Sequence, residues 1–311
     1  MRKYDQTSEI VLFIEKLRSL RNITQEDFLH DIVSLRQYRR YISGDSTISY
    51  SILEQLAKRL GFEANFIITE LETEKVNQTV LVNDLYNLVA NKQFDRVNKL
   101  LTEIDEKHLL SENNKLLYRH SINLLELLKG NSTELITINK TKKLFDYENL
   151  LKKRVLSTSE LLGLISFFKY DSFKDKNVIA KVLASFLDNN ITIVSGNNIR
   201  VVALTLAELS RYFSIIEDYT NMYYYANEGI KYSKKVRSSY ILDALYYLSA
   251  AALDELARYD ERDEYIFKCL NYLLLDGNKN KYIHYANLFK EYFKIDSESL
   301  IVNKLKNFIN E

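Results

Sequence analysis

Apolar residues recur three and four positions apart in one segment after another, the spacing of amphipathic helices. Residues 10–20 set Leu12, Phe13, Leu17 and Leu20 on one side of a helix. Residues 51–60 do the same with Ile52, Leu53, Leu56, Ala57 and Leu60, and Gly61 closes that helix. Between them, residues 24–44 hold two shorter helices. Thr24 followed by Asp27, and Ser34 followed by Gln37, are N-caps whose side chains satisfy orphan amides of a first helical turn. Phe28, Ile32 and Leu35 supply apolar contacts, Tyr38, Tyr41 and Ile42 give the second helix a buried stripe, and Gly44 stops it. The opposite face presents Arg36, Gln37, Arg39 and Arg40, side chains suited to phosphate oxygens and to the base edges of the major groove. A basic helix face taken alone is more often simply a solvated one. The flanking helices decide for DNA recognition, because together the four segments bury enough apolar surface to fold as a helix-turn-helix domain.

The residues that carry a family resemblance are T-Q-E at 24–26, V-S-L-R-Q-Y-R-R at 33–40, S-G at 43–44 and L-E-Q-L-A-K-R-L-G at 53–61. Residues 10–66 resemble an Xre-type, lambda-repressor-like domain. Two departures stand out: the turn lacks its usual glycine, with Asp31, Ile32 and Val33 in its place and one residue fewer, and Ile42 stands where many relatives carry an acid. The first leaves the angle between the two motif helices open. The resemblance implies DNA contacts from Gln25, Arg36, Gln37 and Arg40, with Arg39 on phosphate. Lys58 and Arg59 are either further backbone contacts or a solvated helix end.

The remainder of the chain shows helix pairs of similar layout. A-N-K-Q-F-D-R-V-N-K-L-L at 90–101 reads as a short polar turn, an aromatic and a helix, and residues 215–226 and 256–269 repeat that pattern with Ala226 and Cys269 at the small position where helices approach closely. The predicted pairs are 80–92 with 94–107, 113–129 with 140–152, 158–169 with 175–189, 199–214 with 218–234, 239–257 with 260–274, and 280–293 with 296–309. Their spacing of about 43 residues exceeds the roughly 34 of a tetratricopeptide repeat, so these are divergent repeats expected to stack as a right-handed superhelix with a concave face.

Composition narrows the picture. The chain of 311 residues contains no proline and only seven glycines, which favours an all-α protein over one built from strands and tight turns. A net charge of +1 fits a basic surface confined to a small reading head. The single cysteine, Cys269, has no disulfide partner within the chain and sits in an apolar helical pattern, so it reads as core. His30, His108, His120 and His284 lack ligand spacing, and no glycine-rich phosphate loop occurs. No enzymatic activity, metal or cofactor is expected. With Arg2, Lys3 and Asp5 at its start and no long apolar run, the chain reads as a cytoplasmic protein without signal peptide or membrane span.

An Xre-type head, here residues 1–70, followed by a connecting segment at 71–79 and tetratricopeptide-like pairs over 80–311, resembles the RRNPP family of peptide-pheromone receptors, which includes the Rgg regulators. The string S-L-R-Q-Y-R-R-Y-I-S-G-D-S, followed by I-S-Y-S-I-L-E-Q-L at 48–56, carries that likeness. It implies a homodimeric transcription factor on double-stranded DNA with an inverted-repeat operator, whose C-terminal groove binds a short signalling peptide. Candidate groove residues are Arg200, Glu208 and Arg211 on one helix, Asp243, Tyr247 and Asp254 on the next, and His284 and Asn287 on a third. Asn287 offers both donor and acceptor to a peptide bond, and Tyr247 an apolar wall with a polar tip. The same stripes read equally well as outer, solvated faces. Two other functions remain open at this point: a ligand-independent or antirepressor-controlled repressor of a mobile element or phage, and a protein-interaction scaffold.

Overall fold

The structure is a computed structural model that describes residues 6–188 and 198–310. Arg2, Lys3 and Asp5, and residue 189 at the end of the predicted helix 175–189, lie outside the described residues. Every regular element among those described is helical. The head comprises α1 (Thr7–Leu20), α2 (Gln25–Leu29), α3 (Leu35–Ile42), α4 (Tyr50–Arg59) and the first turns of α5 (Ala64–Ala90). Its core joins Val11, Ile14, Phe28, Tyr38, Leu56, Leu60, Ile67 and Leu71. The expected face of α1 is rotated. Ile10, Val11, Phe13 and Ile14 point inward, Leu12 and Leu17 pack at the edge, and Leu20 is 70% exposed. Residues 10–14 are all apolar, so periodicity alone did not select the buried side.

Helix α5 carries the chain without a break through residues 71–79. Its first turns complete the head core, while Val82, Leu85, Tyr86 and Val89 are buried further along. A polar belt separates the two apolar stretches. Lys75 Nζ lies 2.7 Å from Glu9 and 3.0 Å from Glu72, Lys16 pairs with Glu74 at 2.7 Å, and buried Gln78 donates to the His108 carbonyl at 3.0 Å while accepting from Leu110 N at 2.8 Å. By backbone contacts the chain divides into two compact units, Met1–Leu144 and Phe145–Glu311, so the first helix pairs belong with the head.

The first unit continues with α6 (Phe94–Leu101), α7 (Glu112–Leu128) and α8 (Glu134–Leu144). The second contains α9 (Tyr147–Leu150), α10 (Thr158–Ser166), α11 (Lys176–Asp188), α12 (Asn198–Ile215), α13 (Tyr219–Lys235), α14 (Leu242–Glu255), α15 (Tyr259–Asp276), α16 (Lys279–Phe293) and α17 (Ser297–Asn310). These match the predicted helices with two corrections. The helix expected at 94–107 ends at Leu101, with a separate 3-10 turn at Glu106–His108. The helix expected at 140–152 instead begins at Glu134, where Thr133 Oγ1 accepts from Ile136 N at 3.4 Å, and it is interrupted before α9 by Asp146 at φ +49°. A threonine cap and a left-handed aspartate mark those boundaries more sharply than the apolar pattern does.

The repeat relation is visible in the turns. Lys92, Glu217 and Ala257 each adopt positive φ two residues ahead of an aromatic, Phe94, Tyr219 and Tyr259. In each case the next amide reaches back to a carbonyl of the preceding helix at 2.9 Å: Gln93 to Leu88, Asp218 to Phe213, Arg258 to Leu253. This is the Schellman ending, made here without glycine. Ala226 and Cys269 are fully buried in the core of the second unit, as their placement at close helix approaches requires. No described helix is long and apolar enough to cross a membrane.

Candidate nucleic-acid interface and ligand cleft

Helix α3 is fixed from beneath. Thr24 Oγ1 accepts from Asp27 N at 3.1 Å and Ser34 Oγ from Gln37 N at 3.3 Å, so both motif helices start on the expected caps. Between them Asp31 takes φ +58° and supplies a left-handed turn without glycine. Gly44 at φ +74° ends α3, with Asp45 N bonded to the Arg40 carbonyl at 2.9 Å.

Glu15 on α1 ties the three helices together. It accepts from Arg18 at 2.5 and 3.0 Å, from Gln25 Nε2 at 2.7 Å and from the Tyr38 hydroxyl at 3.1 Å. Burial alone would raise the Glu15 pKa, but the bonds from Arg18, Gln25 and Tyr38 together outweigh it and hold the carboxyl below its ordinary range. Burial next to that carboxylate pushes the Tyr38 hydroxyl well up, so it remains a donor. Tyr38 and Tyr41 are buried, and Phe28 meets the Tyr38 ring edge-on at 6.3 Å. The apolar stripe read from sequence is therefore the face that docks α3 on the head.

The opposite face is open. Arg36 and Arg39 are exposed, and neither guanidinium bonds to any described residue. Arg40 lies 3.5 Å from both Gln37 Oε1 and the Asp45 carbonyl, a loose hold, and Gln37 donates from Nε2 to Ser46 Oγ at 2.8 Å. Gln25 behaves differently. It is half-buried with its amide nitrogen committed to Glu15, which leaves its oxygen for an outside donor. Arg59, considered above as a backbone contact or a solvated end, is exposed and also ties the head together. Its Nη1 spans the Asp27, Phe28 and His30 carbonyls at 3.1, 3.2 and 2.6 Å and caps the end of α2. Glu15 and Ser46 escaped sequence reading. The bonds that hold the motif, from Gln25 and Tyr38 to Glu15 and from Gln37 to Ser46, span nine or more positions and leave no local signature.

In the second unit the structure brings some of the candidate groove residues together. Arg200 of α12 stands over the Tyr240 ring, its Cζ 5.6 Å from the centroid, just before α14, and burial raises the Tyr240 hydroxyl. Glu208 is buried and pairs with Arg211 at 2.6 Å. Asp243, 3% exposed, pairs with Lys281 at 2.8 Å, a partner the sequence did not reveal because it lies on another helix pair. Arg200 and Asp243 line a cleft of about 580 Å³ at the ends of α12, α14 and α16. Tyr247 is half-buried among Tyr285, Phe289 and Phe293, with ring centroids 5.6, 5.9 and 6.3 Å away. Asp254 is held by Arg262 at 2.6 Å, whereas His284 and Asn287 are exposed on α16.

No protein-family model and no curated protein sequence matches the chain. Solved structures do. ComR from S. thermophilus in complex with DNA and its signalling peptide ComS aligns at TM-score 0.56 and 16% identity, over 89% of this chain and 97% of that one. The apo form of PlcR from Bacillus thuringiensis gives 0.55 and 13% over 88% and 98%. The apo competence regulator ComR from Streptococcus vestibularis gives 0.54 and 17% over 92% and 99%. This chain has the fold of those regulators along nearly its whole length: a helix-turn-helix head followed by tetratricopeptide-like helix pairs.

Proposed function

We propose that the protein is a cytoplasmic, homodimeric transcription regulator that binds an inverted-repeat operator and is controlled by a short signalling peptide, with no enzymatic activity of its own. The observation that carries this reading is α3. The Ser34 cap and the buried Tyr38 and Tyr41 hold it on the head while the Arg36 and Arg39 guanidinium groups stand exposed with no partner among the described residues. A guanidinium neutralised by a neighbouring carboxylate would be a poor DNA contact, whereas these two are free to bind phosphate or a guanine edge. In this reading Arg36 and Gln37 touch bases, Arg39 touches phosphate, and Arg40 and Gln25 contribute from the margins. Residues 1–70 act as the reading head and residues 80–311 as the ligand and dimerisation domain. Fold likeness to a regulator solved with DNA and its signalling peptide supports the assignment of a peptide to the repeat domain. Arg200, Glu208, Arg211, Asp243, Tyr247, Asp254, His284 and Asn287 are the residues offered to it.

The test is thermodynamic. Synthetic peptides from short reading frames beside the gene are titrated against the protein with and without operator DNA. A true effector changes operator affinity by the same factor by which the operator changes peptide affinity. A peptide that binds with no reciprocal effect, or the absence of any responsive peptide, would favour a ligand-independent repressor.

A further inference from the structure

The cleft at the ends of α12, α14 and α16 has an imbalance of charge. Its walls carry Arg200, Arg237 and Lys281 against one carboxylate, Asp243. That carboxylate is already used: it is buried and bonded to Lys281, whose other ammonium hydrogens remain available. Burial would lower the Lys281 pKa, but Asp243 more than compensates and keeps it charged. Arg200 rests over the Tyr240 ring with its Cζ 5.6 Å from the centroid, and neither the Arg200 nor the Arg237 guanidinium hydrogen-bonds to a described residue. Stacking presents the edge of a guanidinium, where its donors are, to whatever enters.

The loop behind the cleft is strained. Ile241, a β-branched residue, sits at φ +52° immediately before α14, and Arg237 takes φ +52° in the same loop. The Tyr272 hydroxyl fastens the Ser239 carbonyl at 3.1 Å. Ile241 brings no side-chain cap to α14, so first-turn amides add partial positive charge beside the three cations. A cheaper loop would place glycine or asparagine at 241; an unfavourable backbone held in place at the rim of a cationic cleft is what a ligand site costs.

We propose that this cleft is a binding site for a compact oxyanion, a carboxylate or phosphate group on a small ligand, gripped by Arg200, Arg237 and Lys281 with Tyr240 and Tyr272 as walls. The volume, about 580 Å³, admits a molecule larger than the anion itself. The proposal deepens the reading of the second unit as a ligand-binding domain, but its test uses small anions, so it stands or falls separately from peptide control of DNA binding.

The experiment is a titration of the full chain, labelled with ¹⁵N at arginine Nε, with inorganic phosphate, with N-acetylglycine and with its uncharged amide, at constant ionic strength set by chloride. The Arg200 and Arg237 signals are assigned from Arg200→Gln and Arg237→Gln, both exposed positions whose replacement leaves no buried charge unpaired. The expected result is a saturable shift of the Arg200 signal with phosphate, the acid or both, none with the amide, and a dissociation constant raised about fivefold by Arg237→Gln. The Arg258 signal, held by Glu261 at 2.6 Å, stays still. Saturation by phosphate alone or by the carboxylate alone identifies the source of the anion. The proposal is overturned if the Arg200 shift is linear with no saturation, if the amide reproduces it, or if Arg237→Gln leaves the dissociation constant unchanged.

Discussion

Replacing Tyr38 by phenylalanine removes one oxygen from beneath α3 and leaves everything else in place. The lost bond, 3.1 Å to Glu15, ends on a carboxylate, and hydrogen bonds to charged groups contribute about 1.5–3 kcal/mol. Two features move the cost to the low end. Glu15 keeps Arg18 and Gln25 as donors, so no charge is orphaned, and its side chain is 22% exposed, so water takes up part of the vacated site. A loss of about 1–1.5 kcal/mol follows. The tyrosine ring stays packed on Phe28 in either variant, so the change is local. Hydrogen exchange reports it directly: amides of α2 and α3 should exchange roughly five- to tenfold faster, while those of α12 to α15 keep their wild-type rates. If α3 is no less protected, or if exchange rises equally throughout the molecule, Glu15 is not what fixes α3.

Other consequences can be checked alongside. Because the Glu15 pKa is depressed in the folded head, its contribution is complete above its ordinary value of 4.5 and is lost as pH falls through the lower folded value; head protection that does not change on acidification to about pH 3 would contradict this. Gly163→Ala should destabilise the second unit by about 1–2 kcal/mol, although alanine gains about 1 kcal/mol of helix propensity, because its Cβ would stand 2.6 Å from Cε2 of the buried Phe145 ring; a raised melting temperature would mean the ring yields. Arg59→Ala removes the cap from α2 and should cost about 1 kcal/mol, seen as faster exchange in α2, with the base preference on DNA unaltered.

Much of this architecture could be read in the sequence because its determinants are local. Thr24, Ser34 and Gly44 act within a turn of their own positions, and the helix pairs announce themselves by three- and four-residue spacing. What the sequence hid depends on distant partners. Glu15 is an ordinary acidic residue until α1 lies across Tyr38, and Lys281 becomes the partner of Asp243 only when α16 packs beside α14. The face of α1 was ambiguous because residues 10–14 are uniformly apolar, and the start of α8 was missed because a lone threonine cap outranks the apolar pattern there. Among groove candidates, Arg200 and Asp243 do converge on one cleft, whereas Asp254 is held by Arg262 on the neighbouring helix.

The most direct test of the account is selection of bound sequences from random duplex DNA by the wild-type protein, Arg36→Ala and Arg39→Ala. The account predicts an inverted repeat for the wild type. Arg36→Ala should lose about 1–3 kcal/mol with relaxed preference at symmetric positions, and Arg39→Ala should bind all DNA more weakly with the preference intact. An Arg36→Ala protein that selects the same site with the same affinity would contradict the claim that α3 reads DNA.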